Sequence, residues 1–151
     1  MNIVTFSENA DLAQMLMKTL FAEWPLLFCV HQKCDLLRIL SEIDSACVVA
    51  DLSSFSGADY TWMSGLMHRN REIGLIAIGG PLTIGRARHA GIRLDGFLRI
   101  PVSDCALAEF VGDVCDRIQN PAREPSDRLC ITREPSVKSI SHFQAQENRS
   151  F

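Results

Sequence analysis

No stretch of this 151-residue chain approaches the roughly 20 consecutive apolar residues that a membrane-crossing helix requires. Its start, Met1-Asn2-Ile3-Val4-Thr5-Phe6, carries neither a basic leader nor a long apolar segment. A soluble, cytoplasmic protein with no membrane partner is the expectation. Lys and Arg are nowhere dense or interleaved with aromatic residues, and the net charge is −3; no nucleic-acid partner is expected. The six cysteines fall in no paired metal spacing, and without an export signal they should stay reduced, most of them as small core residues. Cys29, His31 and Cys34 lie close together yet fit no zinc pattern. Cys34, beside Lys33 at a helix start, reads either as a thiol of lowered pKa or, the favoured reading, as a buried, inert one. Neither a Walker nor a dinucleotide-binding fingerprint is present.

What the chain does have is size and alternation. With 47% hydrophobic and 22% charged residues, it can bury the core of one ordinary domain. Five short, nearly unbroken apolar runs, Ile3 to Phe6, Leu26 to Val30, Ala46 to Ala50, Gly74 to Ile78 and Gly96 to Ile100, are each followed by a segment of helical period. That alternation predicts a parallel sheet covered by helices on both faces. The first helix opens on Asn9, carries Leu12, Met15, Leu16 and Leu20 along one stripe, and ends by Pro25. The second spans about Lys33 to Glu42, and the third about Asp59 to Arg71. Pro81 starts the fourth, which stops at Gly91, and Ser103 caps the fifth, whose buried face runs from Leu107 to Ile118. A domain over residues 1–119 is therefore expected. From Asn120 onward the periodicity disappears into a polar, Pro-containing stretch, predicted to be a disordered tail over 120–151. Within it Arg123-Glu124-Pro125-Ser126 recurs as Arg133-Glu134-Pro135-Ser136, which reads either as a duplicated docking motif or as a polar linker with chance similarity.

Asp51 is the residue placed for chemistry. It ends the run Ala46-Cys47-Val48-Val49-Ala50, and in open α/β sheets ligands collect beyond the carboxyl ends of the strands. A plainer reading stands beside this one. An aspartate at a strand end can cap the following turn, and Ser53, Ser54 and Ser56 make this loop rich in turn formers.

Alternation repeated five times, a lone Asp after the third run and a Pro after the fifth together resemble the receiver domain of bacterial response regulators, the CheY-like fold. The resemblance covers about residues 1–119. It is strongest at Ala87-Arg88-His89-Ala90-Gly91, at Gly96-Phe97-Leu98-Arg99-Ile100-Pro101 and at Asp51-Leu52. It implies a flavodoxin-like (βα)5 doubly wound sheet of order 2-1-3-4-5, with its cleft at the ends of strands one and three. By the same resemblance Asp51 is the phosphoacceptor-like position, and Gly79, Phe97, Ile100 and Pro101 are the switch-like positions. Several groups the family uses are missing: the acidic pair after the first strand is Ser7-Glu8, the hydroxyl at the end of the fourth strand is Gly79, and the lysine is Ile100. Phosphoryl transfer to a carboxylate depends on positioning and on cancelling charge over the transferring oxygens. Glu8 with Asp51 is then the only pair left to recruit Mg²⁺.

The expected function is that of a stand-alone pseudo-receiver, non-enzymatic and cofactor-free, acting by protein–protein contact in a two-component-type pathway. Its partner would be another signalling protein, a histidine kinase or a regulator. The family's use of the fourth helix, fifth strand and fifth helix implies a homodimer or effector face over residues 82–119. Two alternatives stay open: a working phosphoacceptor, with Asp51 as nucleophile and Mg²⁺ on Glu8 and Asp51, and small-ligand binding at Gly79-Gly80-Pro81, where a helix N-terminus would seat an anion.

Overall fold

The computed structural model describes residues 1–99 and 103–120. Five parallel strands, β1 (Asn2–Phe6), β2 (Leu27–Val30), β3 (Ala46–Asp51), β4 (Ile73–Ile78) and β5 (Gly96–Leu98), form one sheet of order β2-β1-β3-β4-β5. The register pairs Phe6 with Ala50 and Asp51 with Ile78. Between the strands run α1 (Ala10–Phe21), α2 (Lys33–Glu42), α3 (Gly57–Arg69) and α4 (Pro81–His89), and α5 (Asp104–Gln119) closes the described chain. All six residues of β3 and all six of β4 are buried, as strands covered on both faces must be.

Side-chain alternation divides the core into two layers. Val4, Phe6, Val48 and Leu75 pack with Leu36 and Leu40 of α2, Met63 and Met67 of α3, and Ile84 of α4. Ile3, Cys47, Val49 and Ile76 pack on the opposite face with Leu16 and Leu20 of α1 and Leu107, Val111 and Val114 of α5. The alternation predicts a parallel sheet covered on both faces, and the receiver-domain resemblance implies this flavodoxin-like strand order.

Several local details differ from the sequence expectations. Helix α3 starts at Gly57 rather than Asp59, because Ser56 and Asp59 close a reciprocal capping box that satisfies two orphan backbone donors. Helix α1 ends at Phe21, short of Pro25. Strand β5 pairs only over Gly96–Leu98. The cysteines divide: Cys47 and Cys115 are buried, whereas Cys34 and Cys105 are exposed. Cys34 is therefore not the buried thiol that its position suggests, since it lies on the solvent side of the first turn of α2. The Cys47 thiol is held protonated by its hydrogen bond with Cys115 and by complete burial. Helix α4 ends as expected, on Gly91 in the left-handed region at φ 80°, which glycine enters without a Cβ clash. Ile100, Pro101 and the 121–151 part of the expected tail, with its repeat, lie outside the described residues.

Candidate functional site at the carboxyl edge of the sheet

Asp51 ends β3 with 9% of its surface exposed. Its two oxygens are both engaged. Oδ2 accepts from the Ser7 hydroxyl at 3.2 Å and Oδ1 accepts from the Ser53 backbone N–H at 3.0 Å. The second bond is the turn-capping arrangement that aspartates adopt at strand ends; Asp51 thus braces its own loop while it faces the cleft. Ser7, itself buried, stands where the resemblance implies an acid. Its oxygen also accepts from the Asn9 N–H at 3.1 Å, so it ties the β1–α1 turn to the end of β3.

Beside Asp51 lies an open cavity of about 680 Å³, walled by Asn9, Asp11, Leu12, Met15, Ile78, Gly79, Gly80, Pro81 and Arg99. Glu8 is exposed and does not line it. Asp11 is the second carboxylate on the wall, a position the sequence reading did not single out. Among the described residues no group of three His, Cys, Asp or Glu side chains is placed to hold a metal ion. Each Asp51 oxygen accepts one hydrogen bond and keeps a further lone pair, and the second carboxylate on the same wall is Asp11 rather than Glu8.

Gly79 follows β4 and its N–H donates to the Leu98 carbonyl at 3.3 Å. A Cβ built at this position would lie 3.0 Å from both Cβ and Cγ2 of Thr83. The side chain of α4 thus occupies the space a residue-79 side chain would need. Gly80 has open space around it and Pro81 fills the first turn of α4, where its missing N–H costs nothing.

Arg99 is the residue that sequence reasoning missed most clearly. The lysine position of the resemblance is Ile100, outside the described residues, yet the preceding Arg99 lines the same cavity as Asp51. Among the described residues the cleft therefore has one cation on its wall. The signal available in the sequence was the single-residue offset Arg99-Ile100, and it takes the end of β5 to show which way the chain presents it.

Phe97 is half-buried against the α3 and α4 side of the core. The Arg88 guanidinium carbon sits 5.6 Å from its ring centroid, a cation–π distance. The ring is thus a packing element held by α4. Farther round the rim, Phe6, Phe55 and Tyr60 form a tilted aromatic series with centroids 5.7 Å apart at each step, and the Tyr60 hydroxyl donates to the Leu52 carbonyl. This series fixes the loop that follows Asp51.

The same loop is anchored by charge. Asp59 Oδ2 accepts from the Ser56 N–H at 2.8 Å and from Lys33 Nζ at 2.9 Å. The Ser56 N–H, with the Ser56 hydroxyl and Lys33, holds the Asp59 carboxyl below its ordinary 3.8. A depressed folded-state value gives stability that is present above 3.8 and lost as pH falls through the folded value. Asp59→Asn should accordingly cost only about 0.5 kcal/mol near neutrality, because solvent screens the pair. Urea titrations at a series of pH values should show the gap to the parent narrowing once pH drops below 3.8.

No family model matches the sequence, and no curated protein matches it. Solved structures do. The beryllofluoride-activated NtrC4 receiver domain dimer aligns with a TM-score of 0.64 at 13% identity, covering 78% of this chain and 98% of that one. A pilus assembly-related protein from Burkholderia pseudomallei aligns at 0.60 and 16%, covering 78% and 90%. Chemotaxis protein CheY4 of Vibrio cholerae aligns at 0.58 and 12%, covering 75% and 97%. At such identities the likeness establishes the fold, and the fold is that of CheY-like receiver domains.

Proposed function

We propose that this chain is a pseudo-receiver, a signalling adaptor of the two-component type that works through contacts with another signalling protein and does not accept phosphate on Asp51. The observation that carries this reading is the state of the cleft. Asp51 is tied to Ser7 and Ser53, and the hydroxyl expected at the end of β4 is replaced by Gly79, whose side-chain space Thr83 fills. A phosphoryl group on Asp51 would find no residue-79 hydroxyl to pull, so the lever that couples phosphorylation to loop movement is gone. What remains usable is surface.

On the 82–119 face that surface is polarised. Helix α4 exposes Arg86 and Arg88, whereas α5 exposes Asp104, Glu109, Asp113 and Asp116. Opposite charges on the two helices that flank β5 from opposite faces of the sheet suit self-pairing about a two-fold axis or capture of a partner of matching pattern, with an affinity that falls as salt screens it.

A second reading has one observation in its favour. Arg99 supplies a cation at the cavity wall, and a guanidinium pairs well with phosphoryl oxygens; on that reading Asp51 is the nucleophile of a genuine phosphoacceptor. Incubation with acetyl phosphate and Mg²⁺, followed by intact-mass measurement of the parent and of Asp51→Asn, separates the two. The adaptor reading expects no phosphoryl adduct on either protein. An adduct on the parent that Asp51→Asn abolishes would establish the second reading instead.

A further inference from the structure

A separate groove runs between the start of α3 and the exposed face of α4. Its volume is about 630 Å³, and it is lined by Phe55, Gly57, Tyr60, Leu82, Gly85, Arg86 and His89 among others. Three features of it have no use within the fold. Leu82 is 69% exposed, an uncompensated apolar side chain on the rim. Gly85 sits in the middle of the nine-residue α4, where glycine is a poorer helix former than alanine. A Cβ added there, or at Gly57 on the opposite wall, meets nothing within 4 Å. Interior packing therefore does not require either glycine, and together they leave the groove open to close approach by another backbone.

Charge selects the occupant. The chain as a whole is net negative at −3, yet among the described residues this groove carries Arg86 and His89 on its wall and no carboxylate. Asp59, the acidic side chain nearest in sequence to Gly57, is committed to Ser56 and Lys33. The chain's own residues 121–151 match poorly, because they carry five basic and four acidic residues.

We infer that this groove docks an amphipathic, acidic helix of a partner protein, its apolar side chains against Leu82 and the Phe55–Tyr60 pair and its carboxylates on Arg86 and His89. The inference deepens the adaptor reading and rests on it, since it gives the partner a chemistry and a seat on the α3 side of α4, where Arg86 belongs both to the groove and to the basic row of the 82–119 face.

The test uses the full chain and two synthetic amphipathic helices that share a leucine face and carry either Glu or Lys on the other. Amide resonances are followed by NMR during titration. The Glu peptide should move the Gly57 and Gly85 signals and the Lys peptide should not. Gly85→Leu and Arg86→Glu should each weaken binding about tenfold or more. Gly85→Leu should also leave the thermal midpoint unchanged or raised, since leucine is the better helix former; this control separates blockage from misfolding. Silence from the Glu peptide, equal binding of both peptides, indifference to Gly85→Leu, or a groove occupied by a second copy of the chain would each overturn the inference. Such a failure alongside a negative acetyl phosphate result would remove this groove alone, whereas an Asp51 adduct would remove the adaptor reading beneath it.

Discussion

Phe6→Ala should lower the free energy of unfolding by about 3–5 kcal/mol, the usual range for deleting a buried aromatic ring. Phe6 is completely buried at the carboxyl end of β1. Its ring meets Phe55 at 5.7 Å, and Phe55 in turn meets Tyr60. Removing it takes away the foundation of the loop after Asp51 as well as its own buried area. Whole domains are stable by only about 5–15 kcal/mol, so the loss is a large part of the total. Urea denaturation should show a lower midpoint at an unchanged slope, the mark of lost stability without a changed unfolded state. A cost under about 1.5 kcal/mol would mean that Phe55 collapses into the vacancy and that the aromatic series is not a rigid support. The position also borders the site, since Ser7, the donor to Asp51, is the next residue.

Gly96→Ala is the second large effect, and it acts by overfilling. A Cβ on Gly96 would stand 2.5 Å from Phe110 Cζ and 2.8 Å from Cε1, closer than carbon atoms tolerate. The obstacle is a ring on α5 that is itself packed in the core with Leu107 and Val111. Relief requires α5 to move or the ring to leave its rotamer, at about 1–3 kcal/mol. The remedy identifies the cause: Gly96→Ala combined with Phe110→Leu should recover part of the loss, and a double-mutant cycle should return a favourable coupling energy. Additive losses would mean that the contact does not limit the approach of α5 to β5. The contact sets how closely α5 seats on β5, and under the adaptor proposal it would thereby place the acidic row of α5.

The strands were legible because each reads as a plain apolar run, although only β3 and β4 are buried throughout and the edge strand β2 leaves Phe28 exposed. Helix starts were legible where one side chain does the capping, as Asn9 and Ser103 do. The start of α3 was misplaced by two residues because its cap is reciprocal, and Asp59 reads as a first residue when it is the third. Asp51 was legible from its place after Ala50, and Gly79 from its offset from Ile78. Arg99 was not, since a residue one step from a family position reveals its reach only when β5 and the cavity are in place. Glu8 illustrates the converse, for proximity in sequence to Ser7 does not carry its side chain onto the cavity wall.

By itself the sequence determined the order of the elements and which residues enter the interior, because apolar periodicity and capping are local properties that each segment carries alone. It determined equally that the cleft lacks the hydroxyl at position 79, an identity no folding can alter. Only the tertiary structure decided that Ser7 binds Asp51 across 44 positions of chain, that Cys34 is exposed while Cys47 is sealed, that Phe110 stands against Gly96, and that Phe55 and Tyr60 share a groove with Leu82 and Arg86. Such facts depend on side chains from distant segments meeting at fixed distances, and those distances are set by how the helices seat on the sheet.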